Sequence, residues 1–511
     1  MNLNNIKSAV LFTTFLSSAV FSDAQSFIGL QHSNLGGIHQ SVLNPANIAN
    51  SRHRMYVNGI TAGFSLYNDY LKLNFPFPVM NLITGNVPAT YKNADGSLKF
   101  QDAWLSENVN DKPKNLNLSV QTRVPGFMMT LPKGWAFGFQ YKNTIAFQVN
   151  DVAEPLARLA RYGIDSSKGS VSYSGPNQFQ IGQTFGDNAF TVNMNAFGEV
   201  AVTLAKTVVK DKNLVIKAGV TPKLLLGYGS AYINNRGLQI KAAGTDTVVF
   251  GETDVEYGYT DPGNLGSISN INVNALSSKL QGSGFGFDIG AAFEYKSDKT
   301  KVVTDGNNNY LFRGGISLMD GGHITYKNGL KNTRISNNSG DKMLIITPQF
   351  ADAWGDGSEK GLKYTDSVMR TLFNVDTSAK VLQSKMPSTL NLQFDYNLFK
   401  IFYLGANFSQ DLRGKKAIGM RKASYLVVIP RIEHRFFEVA LPLGMMNDYR
   451  TPRLGFYLRV GPVFVGSDNL IGQLRGKDVY GTDLYFGISM GIMRDKEDKD
   501  KDKSSSDAPK E

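Results

Sequence analysis

Eight ionisable side chains occupy the same kind of position along this chain. Lys217, Asp288, Glu294, Arg313, Asp395, Glu438, Arg459 and Asp483 each sit in a run where large apolar residues alternate with small or polar ones. Charges of both signs interspersed in this way could line a polar interior and hold a polar solute. They could equally pair with one another and anchor an internal segment, and this is the expected state, because interior charges need partners. The five histidines, His32, His39, His53, His323 and His434, form no metal-ligand spacing and are read as solvated or interfacial. There is no Cys, hence neither disulfide nor thiolate site. No Gly-x-Ser-x-Gly elbow and no phosphate loop is present, so the chain is read as not an enzyme, without a cofactor or metal. His434, close to a strand turn, is the residue a lipid hydrolase would use, yet the sequence offers it no nameable Ser partner.

The elements that must position these charges are strands. In the run from Asp483, the side chains of Leu484, Phe486, Ile488, Met490 and Ile492 share one face, and Asp483, Tyr485, Gly487, Ser489 and Gly491 the other. The same alternation recurs with Phe285, Phe287, Ile289, Ala291 and Phe293, with Leu390, Leu392, Phe394 and Tyr396, and with Leu454, Phe456, Leu458 and Val460. Pro222 is awkward within the run 214–228 and predicts a bulge or local break. The run 425–431 has no clear facing, and 238–250 is a candidate for one further strand. Short helices are expected near 151–163 and 366–373, inside long connections.

A soluble sandwich and an outer-membrane barrel both show this alternation; they differ in which face meets the core. Residues 1–24 read as an export signal, with Lys7, an apolar run, and Ser22-Asp23-Ala24 at the cleavage site. No later stretch could span as a helix, so a membrane form must be a barrel. The strands approach the ~9–11 residues that cross a bilayer. Tyr141, Tyr228, Tyr295, Tyr310 and Tyr396 near strand ends suit interfacial girdles. The expected fold is all-β, a transmembrane antiparallel β-barrel of about 14 strands. The expected divisions are a signal peptide at 1–24, an N-terminal plug at 25–54 with Asn44-Pro45-Ala46, the barrel at 55–493, and a disordered charged tail at 494–511. The net charge of +11 is scattered rather than clustered, which argues against nucleic acid and toward an anionic lipid surface.

The segment carrying Asn44-Pro45-Ala46, followed directly by a first strand, resembles the outer-membrane fatty-acid transporter-like barrels. The closing run adds a second similarity: Pro452-Arg453-Leu454-Gly455-Phe456, then Gly461-Pro462-Val463-Phe464-Val465-Gly466-Ser467-Asp468-Asn469-Leu470. It is similar to an uncharacterised barrel family of bacteria that use type IX secretion. The resemblance implies a lumen plugged by 25–54 and a place in the bacterial outer membrane, against lipid and lipopolysaccharide. The expected function is a plugged channel or transporter binding or passing hydrophobic or small molecules. The alternative is a scaffold or accessory subunit of an envelope secretion or surface complex, with a protein partner. Phe486 is expected to face lipid and to reject a charge, and Ser489, on the interior face, to tolerate one better.

Overall fold

A computed structural model describes residues 27–162, 182, 184–186, 188–243, 247–260, 280–296, 310–327, 331–337, 340, 342–345, 358–373, 375–376, 381–399, 401–414, 417–474, 476–477 and 479–494. The expected export signal, and the expected tail beyond residue 494, lie outside the described residues.

Fourteen antiparallel strands close into a ring. They are β1 (His53–Asn68), β2 (Lys114–Thr130), β3 (Trp135–Val152), β4 (Phe190–Lys210), β5 (Leu214–Ala242), β6 (Gly282–Tyr295) and β7 (Phe312–Tyr326), followed by β8 (Leu382–Lys385 and Thr389–Phe399), β9 (Phe402–Asp411), β10 (Tyr425–Glu433), β11 (Phe437–Ala440 and Leu443–Met446), β12 (Thr451–Leu454 and Phe456–Val460), β13 (Val463–Ser467) and β14 (Gly481–Met493). Each pairs with the next, and β14 returns to β1 with Gly491 opposite Tyr56 and Ile488 opposite Ile60. Closure leaves the ring no unpaired edge.

The fourteenth strand is β13, and the candidate at 238–250 is not a separate barrel strand. Residues 238–242 end β5, and Thr247–Tyr259 folds back on them as a hairpin. With five residues, β13 is too short to display an alternation, and it follows a turn at Gly461, whose φ of +57° is left-handed. Pro222 causes no bulge, but the ladder to β4 skips Thr221 and Pro222, a local break of the expected kind. Lys223 lies opposite Ala201 and Val220 opposite Leu204, an unchanged register on either side of it.

The outer face is a belt of exposed Leu, Ile, Val, Phe and Met, including Val220, Leu224, Phe287, Ile289, Ile316, Leu392, Phe394, Phe486, Ile488 and Met490. Such a face on a closed sheet is stable only against lipid. Trp135, Tyr295, Tyr396 and Phe436 are exposed at the short-turn end, where rings suit the interface. Tyr310 is not one of this girdle. It precedes β7, outside the alternation, and is fully buried with its hydroxyl donating to Asp395. No described helix is long and apolar enough to cross a membrane.

At the long-loop end β5 outruns the ring. Its last third carries Thr247–Tyr259, then Lys331–Asn337, Lys342–Ile345 and Val375–Asp376 as an additional sheet. Helix Ser358–Leu372 adjoins it, and its Asp366 accepts from the Tyr257 hydroxyl at 2.7 Å. The connection between β1 and β2 packs Phe75, Phe77, Tyr91 and Trp104 into an aromatic cluster.

Candidate functional site: the filled lumen

Residues 27–52 lie within the ring and are buried almost throughout. The local sequence favours tight turns over a strand. Gly37 takes φ +53°, and a Cβ there would overlap the Tyr56 ring. Asn44 caps the short turn Pro45–Ile48, its Oδ1 accepting from the Ala46 N–H at 2.9 Å, with Pro at the first helical position. Phe27, Ile28 and Leu30 pack on Val427, Ile429, Tyr457, Phe464 and Tyr485. Ile38, Ile48 and Ala49 pack on Tyr56, Met128, Ala136 and Ala205. The segment thus touches nearly opposite walls while contributing no strand to the sheet.

Asn44-Pro45-Ala46 sits in a bare hollow of the wall. Gly219 on β5 and Gly290 on β6 are register partners, and Gly315 on β7 lies one step away, opposite Ala292. A Cβ at Gly219 would come within 2.5 Å of the Pro45 carbonyl carbon, and one at Gly290 would overlap the Asn44 amide. The Asn44 Nδ2 donates to the carbonyl oxygens of Ala291 at 3.0 Å and Ile316 at 3.2 Å. Asn44 is therefore a cap and a clamp at once.

Below the hollow, toward the short turns, lies a buried charge network centred on Asn34. Its backbone N–H and Nδ2 donate to Glu433, at 3.0 Å for the backbone bond, and Nδ2 also donates to Tyr310 Oη at 2.6 Å. Arg313 donates to Asn34 Oδ1 at 2.9 Å and to Asp395 at 3.1 Å. Arg431 bridges Asp395 and Glu433, at 2.9 and 2.7 Å. Arg52, the last residue before β1, pairs with Glu433 at 3.2 Å and donates to Tyr403 Oη at 2.8 Å. Ser33 donates to Glu438, which also takes Arg459. Asn50 joins the Lys217–Glu294 pair, donating to Glu294 at 3.0 Å. Buried ions are tolerable here because nearly every one meets an opposite charge and a further donor or acceptor. Burial drives the two histidines of the segment to their neutral forms. His32 is lowered to about 4, and His39, also facing the Arg123 guanidinium, falls well below the ordinary histidine range.

Higher in the ring the fillers change. Lys223 meets Asp288 at 2.8 Å, Asp320, and Glu199, which also pairs with Lys142. Asp320 has a left-handed φ of +55° and marks a bulge between β6 and β7. The connection between β9 and β10 then arches inward across the lumen. Its Gly419 N–H donates to Asn193 on β4 at 2.9 Å, and Arg421 exchanges two backbone bonds with Gln148 on β3. Arg421 is anchored by Asp411 at 2.5 Å and Asp448 at 2.6 Å. Asp448 belongs to the β11–β12 turn, where Asn447, Asp448 and Tyr449 all have positive φ. Three successive non-glycine residues in that region are a strained turn. Under the arch lies a narrow polar cleft lined by Tyr67, Asp69, Asn117, Asn150, Asn447 and Arg450, among others.

All eight charged residues singled out in the sequence are buried. The structure brings Arg313 and Asp395 together, Glu438 and Arg459 together, and Lys217 and Glu294 together, each group touching 27–52. Asp288 belongs instead to Lys223, and Asp483 stands apart, accepting from Ser467 and the Asp468 N–H. Sequence reasoning passed over Asn34, Arg52, Arg431, Glu433 and Tyr403 as site residues. Arg431 and Glu433 share one face of β10, a signal obscured by the apolar Val427 and Ile429 on that same face. Ser489 is interior but not solvated; its Oγ accepts from the Tyr56 hydroxyl at 2.8 Å, so a charge there would be buried without a partner. His434 lies against Phe436 and Phe437 at a short turn. Among the described residues no three His, Cys, Asp or Glu converge as a metal site.

The sequence model of a family of unknown function, DUF5723, matches residues 45–468. No curated protein matches the chain in sequence. Among solved structures, a deltaS2 mutant of the TodX monoaromatic hydrocarbon channel is similar over 89% of this chain and 93% of that one, with 9% identity and a TM-score of 0.37. The Pseudomonas putida toluene transporter TodX is similar over 93% and 96%, with 7% identity and a TM-score of 0.29. A Pseudomonas aeruginosa FadL homologue is similar over 92% and 98%, with 8% identity and a TM-score of 0.22.

Proposed function

The chain belongs to the DUF5723 family of unknown function, and on the geometry of its lumen we propose that it is a plugged outer-membrane barrel that admits small molecules when residues 27–52 shift. One observation carries the proposal. The segment fills the ring, yet it joins the wall covalently only at Arg52–His53 and donates no strand to the ladder. It can therefore move without unzipping any strand pair. Its seat is made of side-chain bonds, a glycine hollow and buried ion pairs, each of which can be broken and remade. The outer belt of apolar residues and the closed ring suit the outer membrane, where spanning barrels reside.

The test is a flux measurement on the full chain in liposomes. Asn44→Ala removes a cap bond and two bonds to the wall, together worth about 3 kcal/mol of docking at ~1 kcal/mol each. The expected result is small-solute flux several-fold above the unaltered protein, with the barrel still folded by its heat-dependent gel mobility. Equal flux in the two proteins, or none in either, would sink the proposal.

A further inference from the structure

The two ends of the barrel carry charge differently. Among the described residues, the exposed basic side chains of the short-turn end are Arg54, Lys133, Lys206, Lys210, Lys212 and Arg435, and its exposed acid is Asp211. The other carboxylates at this end, Glu294, Asp395, Glu433 and Glu438, are buried in the lumen and held there by Lys217, Arg313, Arg431 and Arg459. The long-loop end is mixed: Asp95, Asp111 and Glu252 are exposed there, as are Lys99 and Lys112. The residues after Arg494 alternate Lys with Asp and carry little net charge to offset the basic end.

One of these cations stands on the lipid side of the wall. In β4, Leu204 and Lys206 are exposed while Thr203 and Ala205 are buried, so Lys206 continues the outward apolar face. Its register partner on β3 is the exposed Trp135, and the Lys206 ammonium lies over the indole at 4.7 Å. Farther from the rim on the same face, Leu204 is opposite Phe137, whose ring centroid is 5.8 Å from that of Phe127. An aromatic wall thus ends in a tryptophan and a cation. The turn that carries Lys133 leans on Thr207, next to Lys206: a Cβ at Gly134 would lie 3.1 Å from the Thr207 Cβ. Arg435 repeats the arrangement at the β10–β11 turn, its guanidinium 5.8 Å from the ring of the exposed Phe436. Lys133, Lys206 and Arg435 make no ion pair among the described residues. Stems laid on apolar wall and charges lifted at the aromatic girdle suit the headgroup layer of a membrane.

We infer that the short-turn end is a docking surface for anionic glycerophospholipid of the periplasmic leaflet, centred on Lys206 and Trp135. Outer-membrane barrels keep their short turns on the periplasmic side, where the leaflet is phospholipid rather than lipopolysaccharide. The lipid phosphate takes the Lys206 ammonium, and the acyl chains lie along Leu204, Phe137 and Phe127. A basic side chain near an anionic surface strengthens binding about fivefold. The inference rests on the barrel's place in the outer membrane and stands or falls independently of solute passage.

The experiment uses the full chain in phosphatidylcholine vesicles, doped with either phosphatidylglycerol or phosphatidylcholine brominated on the acyl chains close to the headgroup. Bromine quenches an indole that it touches, and the difference from Trp135→Phe isolates the signal of Trp135. Phosphatidylglycerol is expected to reach Trp135 with about fivefold preference over phosphatidylcholine. Lys206→Gln is expected to abolish the preference, Lys206→Arg to keep it, and Arg435→Gln, at another turn, to leave it unchanged. Equal quenching by the two lipids in the unaltered protein would overturn the surface and leave the basic end to an acidic protein. A preference that survives Lys206→Gln, or that falls as far in Arg435→Gln, would overturn the site at Lys206.

Discussion

The lumen has two halves that solve the problem of interior polarity differently. Toward the short turns, charges are numerous and nearly all are spent on one another or on residues 27–52: Asn34, Arg52, Arg313, Asp395, Arg431 and Glu433 form one connected network. Toward the long loops charges are as numerous but fall into separate groups, Lys223 with Asp288, Asp320 and Glu199, and Arg421 with Asp411 and Asp448, while Asn117 Oδ1 and Asn447 Nδ2 are buried without a hydrogen-bond partner. The lower half specifies one internal partner. The upper half is tied by the β9–β10 arch to β3 and β4 and holds no part of residues 27–52 among its ion pairs.

The largest expected effect tests the lower network. Glu433→Gln strips the charge that faces Arg52 and Arg431 and is expected to cost about 3–5 kcal/mol, as breaking a buried pair does. The corresponding change above, Asp411→Asn, leaves Arg421 its Asp448 and is expected to cost only about 1 kcal/mol. Thermal unfolding of the two variants in one detergent checks the ratio; equal losses would erase the distinction between the halves. A smaller effect is expected at the hollow. Gly290→Ala places a methyl against the Asn44 amide and is expected to cost about 1–3 kcal/mol, read as faster protease cleavage within 27–52. Cleavage at the unaltered rate would show that the hollow does not seat the segment.

A further expected effect is one of pH. His32 and His39 are neutral when buried, with folded values below the unfolded 6.5. A depressed value stabilises fully above the unfolded one, and that stability is lost as pH falls from about 6.5 toward 4. Amide exchange corrected for intrinsic rates should therefore speed up across 27–52 between pH 7 and 5, and not across 417–424. A uniform change in both segments would break the comparison.

The outer face was legible because lipid imposes one rule on every strand. Leu392, Phe394, Phe486 and Ile488 all obey period two, and the closing pair β14–β1 follows from it. The interior obeys a different authority, the shape of residues 27–52, which no periodicity encodes. Val427 and Ile429 face inward because Phe27, Ile28 and Leu30 meet them, so β10 looked apolar on both sides. Tyr310 resembles a girdle residue in sequence because the partner that buries it, Asp395, is distant in the chain. Asn44-Pro45-Ala46 could be picked out, but its seat could not, since Gly219, Gly290 and Gly315 converge only once three strands are in register. The arch gave no sequence signal at all; Arg421 and Asp448 are joined by a fold, not a motif.

β5 is a single strand of 29 residues, and its stretch beyond Ala231 rises roughly 40 Å at about 3.3 Å per residue. The same unbroken backbone carries Gly219, on which Pro45 rests. It is a mast stepped in the keel: a hand laid on the outer sheet and the seat of the stopper inside are fixed to one spar, laddered along its length and stiff along its axis.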